Sequence, residues 1–123
     1  MFEPELVRDI LVQRLQAAKR IEQRIHTIHK PDDFRKTDAG EISFDAIAML
    51  LSAIGESLKK LDRLTDGKFL SQYPSFDWKA AKGLRDVISH NYFDLDREVI
   101  FRVCKFEIPT LFATLEKMIE EVS

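Results

Sequence analysis

The sequence predicts an all-α, up-and-down bundle of four to five helices in a single domain spanning residues 1–123. Three observations carry this. Apolar residues recur in steps of three and four along almost the whole chain, and strand-like alternation never lasts more than a few residues. Only four Gly and four Pro interrupt that pattern. Area scaling gives roughly 20,700 Å² for the unfolded chain and roughly 6,800 Å² once folded, enough burial for one core and too little for two.

The first helix opens at Pro4, which suits a first turn, with Glu3 and Glu5 at its positive end. Leu6, Ile10, Leu11, Leu15, Ala18, Ile21, Ile25 and Ile28 form one apolar stripe. The residue before Pro31 avoids helical backbone angles, so the helix should end there, after about 25 residues. Residues 31–42 read as a polar connection. Ser43 is a candidate N-cap with Asp45 in the first turn. Ile47, Leu51, Ile54, Leu58 and Leu61 then form a narrow seam, as in antiparallel bundles. Asp66-Gly67 is a stop signal.

Phe69, Leu70, Tyr73 and Phe76 make residues 67–77 a loop packed onto the bundle. Asp77 caps a third helix from Trp78, with Ala81, Leu84 and Ile88 on its apolar side, and the pattern fails near Asn91. Asp96 caps a fourth segment, Arg97 to Phe106. Pro109 opens or kinks a fifth, with Leu111, Leu115, Met118, Ile119 and Val122 along it.

Composition narrows the function. Nineteen basic residues face 21 acidic ones, so any polyanion site is local rather than spread over the surface. A single cysteine, Cys104, excludes an internal disulfide framework and a cysteine-based zinc site. Such a chain gains nothing from an oxidising compartment, and the cytoplasm is the expected location. The start Met1-Phe2-Glu3-Pro4-Glu5 is acidic and unlike a signal peptide, and no apolar run approaches the ~20 residues of a membrane span.

One segment carries chemistry: Leu84-Arg85-Asp86-Val87-Ile88-Ser89-His90-Asn91-Tyr92-Phe93, at a helix end. Histidine titrates near neutrality and can move a proton. Arginine carries a permanent charge on a fork matched to phosphate oxygens. Ser89, Asn91 and Tyr92 add hydrogen bonds. This set suits a phosphodiester. Asp86 and His90 share a helix face at i, i+4, so Asp86 can orient the imidazole. Arg85 and His90 lie roughly 140° apart on an ideal helix. They can converge only if the helix breaks after Ser89 or if a second subunit supplies one of them. The competing reading is structural, with His90 a helix-end cap and Arg85 in an ion pair with an acid.

Arg85, four residues, His90, one residue, Tyr92 has the R-x4-H-x-Y form, and in it the chain resembles the HEPN superfamily (higher eukaryotes and prokaryotes nucleotide-binding domains). Asp86 fits the polar residue that follows the arginine there. Ile54-Gly55-Glu56-Ser57, Trp78, Asp94 to Phe101 and Pro109-Thr110-Leu111 resemble the HepT branch, so the likeness covers nearly the whole chain.

The resemblance implies the toxin of a toxin–antitoxin pair: a homodimeric, metal-independent RNA endonuclease needing no cofactor. Its implied partner is an MntA-type nucleotidyltransferase antitoxin that adenylylates the motif tyrosine. Arg85 and His90 are then the catalytic pair, Tyr92 the modification site, and Asp86, Glu56, Ser89 and Asn91 supporting residues. In this chemistry the 2′-hydroxyl attacks the adjacent phosphorus, which favours single-stranded RNA. The branch departs in one respect, because Asp86 stands where asparagine is common. Its negative charge beside a polyanion site either serves His90 or weakens RNA binding. Within the superfamily some members beside nucleotidyltransferases are non-catalytic modules that bind or present substrate, and this is the alternative function.

The remaining candidates read as structural first. Arg14, Lys19, Arg20 and Arg24 form a solvated helix face before an RNA track. Gly55 inside a helix suggests close helix approach; Glu56 beside it is either a partner of Arg85 or a surface acid. His26 and His29 complement a helix dipole before they hold a metal. Cys104 is a small core residue before a nucleophile. Phe69, Phe76, Trp78, Phe101, Phe106 and Phe112 are mostly core, with one or two lining a groove.

Overall fold

A computed structural model describes residues 3–122; Met1 and Phe2, which open the acidic start, and Ser123 lie outside the described residues. Helix α1 (Pro4–Ile25) has Pro4 and Glu5 in its first turn and Arg24 in its last. It ends earlier than the sequence suggests. Past it, the Asp33 carboxylate accepts hydrogen bonds from the His29 and Lys30 N–H groups at 2.9 and 3.3 Å. These bonds hold the Asp33 carboxyl below the usual carboxylate range and turn the chain before Pro31 is reached. Val7, not Leu6, is the buried residue at the start of the stripe.

The connection is less polar than its composition suggests. A short helix, α2 (Asp33–Lys36), buries Phe34 edge-on against Phe44. Helix α3 (Asp38–Thr65) therefore starts five residues before the Ser43 cap read from the sequence. Its N-cap is Thr37, whose hydroxyl oxygen accepts from the Gly40 N–H at 2.9 Å. A Cβ at Gly40 would lie 2.3 Å from the Asp33 carbonyl oxygen, so glycine is what lets the connection fold back onto α3. The seam Ile47, Leu51, Ile54, Leu58 and Leu61 is wholly buried. Asp66 and Gly67 end the helix in the left-handed region, at φ 52° and 71°.

The aromatic loop packs as expected, with Phe69, Leu70 and Phe76 buried and the Trp78 indole N–H donating to the Tyr73 carbonyl at 2.8 Å. The Tyr73 hydroxyl donates to Glu121 at 2.7 Å; burial and that carboxylate push its pKa up to about 12. Asp77 caps α4 (Trp78–His90) by accepting from the Ala80 N–H at 3.0 Å. Asp77→Ala should lower stability by about 1 kcal/mol, seen as a lower urea midpoint at unchanged slope.

Asp96 caps α5 (Arg97–Arg102), again as the sequence predicts. The two last segments are one continuous rod. Pro109 has no N–H for the Lys105 carbonyl, and its ring crowds that group. The rod absorbs this with a π turn at Val103–Glu107, where the Ile108 N–H bonds to the Val103 carbonyl, before α6 (Ile108–Glu121). The wider turn keeps Ile100, Cys104, Ile108, Leu111, Leu115 and Met118 on the buried side.

The bundle is all-α, with no strand among the described residues. Rising numbers on α3 meet falling numbers on and just past α4: Asp45 with Tyr92, Glu56 with Arg85, Asp62 with Lys82. The two helices are therefore antiparallel. Gly55 sets their spacing, because a Cβ there would lie 2.9 Å from Arg85 Cβ and 3.0 Å from the Ala81 carbonyl oxygen. The close approach inferred from Gly55 is real, and it falls on Arg85. Cys104 is buried as a core residue, and burial pushes its thiol up to about 12. No helix among the described residues is long and apolar enough to cross a membrane.

Candidate active site

The motif occupies the last two turns of α4 and the 3₁₀ turn Tyr92–Asp94 that follows. A groove of about 480 Å³ runs between α3 and α4, lined in part by Asp45, Met49, Ser52, Glu56, Arg85 and Tyr92. Another cavity, of about 370 Å³, lies between α3, α4 and the α6 rod, but its lining is apolar apart from Glu107 and the capping residue Asp77. It holds no cation for a phosphate, so the groove that carries Arg85 is the candidate site.

Arg85 is half-buried and held from two sides. Its Nε donates to Glu56 Oε2 at 3.2 Å, and its Nη1 lies 3.4 Å from Asp86 Oδ1. Of the two readings of Glu56, the partner of Arg85 is the observed one, although half of the Glu56 side chain stays exposed. Asp86 turns its carboxylate to Lys59, whose Nζ is 3.0 Å from both oxygens. That ammonium, with Arg85 assisting, holds the Asp86 carboxyl below the usual range.

The Asp86 carboxylate does not reach His90 as the i, i+4 spacing suggested, because Lys59 and Arg85 take it. His90 Nδ1 lies 2.8 Å from the Asp86 main-chain oxygen. A carbonyl only accepts, so Nδ1 is the donor, and in the neutral ring Nε2 is the nitrogen that carries the lone pair. The neighbouring Asn91 is the C-cap of α4, and its side-chain amide donates to the Val87 carbonyl at 3.2 Å. Ser89 is exposed on the last turn.

The helix runs unbroken through His90. This removes one of the two routes by which Arg85 and His90 could meet. On a continuous helix they stand about 140° apart around the axis and about 7.5 Å apart along it. Arg85 lines the groove and His90 does not. Tyr92, in contrast, is on the same groove as Arg85. Its hydroxyl donates to the Asp45 carboxylate, which, with partial burial, holds the phenol above its ordinary pKa and therefore neutral at physiological pH.

From the sequence, Asp45 read only as a first-turn residue and Phe93 only as the end of the motif segment, and Lys59 and Met49 were not singled out. Met49 is 75% exposed on the groove wall, and Phe93 is 96% exposed with its ring edge-on to Tyr92. A bare phenylalanine beside the motif was visible as Tyr92-Phe93, but nothing local marked it as outward-facing. Of the aromatics considered, Phe69, Phe76 and Trp78 are core, Phe101 and Phe112 are partly buried, and Phe106 is exposed. Among the described residues no group of three or more His, Cys, Asp or Glu is placed to hold a metal ion.

An antiparallel all-α bundle with R-x4-H-x-Y at the end of its third long helix is the arrangement that the resemblance to HEPN-type domains implies. The model of the family described as ribonuclease HepT-like matches residues 7–118, and the chain belongs to that family. It is 31% identical over 77 residues to "Putative RNase MJ1216" of Methanocaldococcus jannaschii, covering 63% of this chain and 60% of that protein. It is also 31% identical over 77 residues to "Putative RNase TTE0752" of Caldanaerobacter subterraneus subsp. tengcongensis, covering 63% of this chain and 62% of that one. With "Probable ribonuclease HepT" of Thermococcus cleftensis it shares 30% identity over 73 residues, covering 59% and 63% of the two chains. The chain thus spans just over three-fifths of the length of these curated relatives. No solved structure matches it.

Proposed function

We propose that the protein is a ribonuclease toxin that cuts single-stranded RNA without a metal, as a homodimer in which Arg85 of one subunit meets His90 of the other. The observation that carries this is the pairing of an intact motif with a helix that does not break. Arg85 and His90 are the residue types phosphodiester cleavage needs, and one chain aims them apart. A two-fold related copy brings them together. The exposed Met49 on the groove wall, Phe93 beside Tyr92 and Val87 on the His90 side of α4 are apolar residues that such a copy would cover.

The chemistry follows from the atoms present. His90 Nε2, with its proton on the opposite nitrogen, takes the proton of the 2′-hydroxyl as that oxygen attacks phosphorus. Arg85 exchanges its contact with Glu56 for the phosphoryl oxygens and stabilises the charge that builds on them. The 5′-oxygen leaves as a hydroxyl after taking a proton from solvent water, and the product carries a 2′,3′-cyclic phosphate. Ser89 and Asn91 supply hydrogen bonds at the rim.

The proposed control is adenylylation of Tyr92 by a partner nucleotidyltransferase of the MntA type, in the cytoplasm. Support comes from the shared groove: a phosphodiester on the Tyr92 oxygen lies beside Arg85, adds negative charge and bulk, and must displace Asp45. Incubation with total RNA in excess EDTA tests the activity. Cleavage with cyclic phosphate ends is the expected result. Intact RNA, from protein whose mass equals the unmodified chain, would move the reading to a module that binds the nucleotidyltransferase without cleaving.

A further inference from the structure

Asp86 poses a problem for any site that receives RNA, because it places a carboxylate next to the arginine meant for phosphate. The fold answers it from another helix. Lys59 stands one turn from Gly55 on α3, where a Cβ would meet α4, and gives its ammonium to both Asp86 oxygens at 3.0 Å. Arg85 reaches only one of those oxygens, at 3.4 Å. Lys59 is therefore the principal counter-charge of Asp86, and the drop in the Asp86 pKa has the same first cause. In the cluster two cations, Lys59 and Arg85, balance two anions, Glu56 and Asp86.

We propose that Lys59 is a positioning residue for the RNA site: it neutralises Asp86, so that Arg85 can leave its acidic neighbours for a phosphodiester without an uncompensated carboxylate beside it. This rests on the ribonuclease reading above. Without Lys59, Asp86 has Arg85 as its remaining cation. It then competes with RNA for the guanidinium and repels the incoming phosphate. Lys59 acts through Asp86 and not by touching RNA, because its ammonium is already committed and only 29% of its side chain is exposed.

The test is a double-mutant cycle on cleavage of a fluorescent single-stranded oligoribonucleotide at low salt. Lys59→Met should raise KM about five- to tenfold, with kcat changed less than about twofold, and the difference should shrink as salt screens it. Asp86→Asn should lower KM, since it removes the repulsion and frees Lys59. The double variant should return KM to within about twofold of wild type, a rescue that a structural role for Lys59 does not give. If Lys59→Met folds poorly, Asp86→Asn alone decides: an unchanged or raised KM overturns the proposal. A double variant as weak as Lys59→Met also overturns it and makes Lys59 a direct phosphate contact. Wild type that neither cleaves nor binds the oligonucleotide overturns the ribonuclease reading and this one with it. Wild type that cleaves, with Lys59→Met equal to it, overturns this one alone.

Discussion

Mixing Arg85→Ala and His90→Ala proteins should restore RNA cleavage that neither shows alone. On the proposed ribonuclease reading each single variant should lose its activity for a different reason. Without His90 the 2′-hydroxyl has no positioned base, a loss of about 10²–10⁴ in rate. Without Arg85 the phosphoryl oxygens lose their preorganised charge, a loss of about 10²–10³. In the proposed dimer, a mixed pair has one composite site that carries both substitutions and one that carries neither, since each site would take Arg85 from one subunit and His90 from the other. Random exchange makes half the dimers mixed, and each has one working site of two, so the mixture should recover about a quarter of the wild-type rate. Cleavage of a labelled oligonucleotide measures it, with native mass spectrometry to confirm exchange. A mixture that contains mixed dimers but stays as inactive as its parents would place the whole site in one subunit and end the composite-site reading.

Gly55→Ala and Gly83→Ala should move stability in opposite directions. Both are glycines inside helices, and by helix propensity alone each change gains up to about 1 kcal/mol. At Gly83 nothing lies within 4 Å of the added carbon, so that gain should be realised as a rise in melting temperature of roughly 4 °C. At Gly55 the new carbon meets Arg85 Cβ at 2.9 Å and the Ala81 carbonyl oxygen at 3.0 Å. Both are rigidly tied to the α4 backbone and can yield only by moving the helix. Overpacking of this kind costs about 1–3 kcal/mol, more than the propensity gain. It also shifts Arg85 relative to Glu56 and the groove, and misplacement by about 1 Å costs up to about 10²-fold in rate. Calorimetry on both variants, with cleavage assayed well below the melting temperature, checks the pair. A stabilised Gly55→Ala protein would show that α4 is not held at this spacing.

Features encoded within a few residues were legible in the sequence. The caps at Asp77 and Asp96, the stop at Asp66-Gly67 and the seam from Ile47 to Leu61 are all local signals, and all stand in the structure. The start of α3 was not legible, because Ser43 is as good a cap by type as Thr37. The choice falls to Phe34, which must reach the core, and to Gly40, which lets the chain pass. The fourth and fifth segments read as separate because Pro109 signals a break; the π turn that heals it has no sequence signature of its own.

The site divides the same way. The motif and its helix-end position were visible, as were Gly55 as a contact and Glu56 as one of two options for Arg85. Lys59 and Asp45 were not, since their partners lie 27 and 47 residues away. Such pairs depend on how far one helix slides along another, a length that periodicity does not record. The imidazole of His90 was expected to be held by the Asp86 carboxylate and is held by the main-chain carbonyl instead, a distinction the i, i+4 relation does not make.

That last bond makes one residue answerable to two unrelated demands through different atoms. The aim of the imidazole depends on the main chain of residue 86, which every amino acid provides. The electric charge next to Arg85 depends on the side chain, which a single substitution replaces. Position 86 can therefore change sign over evolutionary time while the base beside it stays pointed the same way. An acidic residue is tolerable there as long as a cation on the facing helix changes with it.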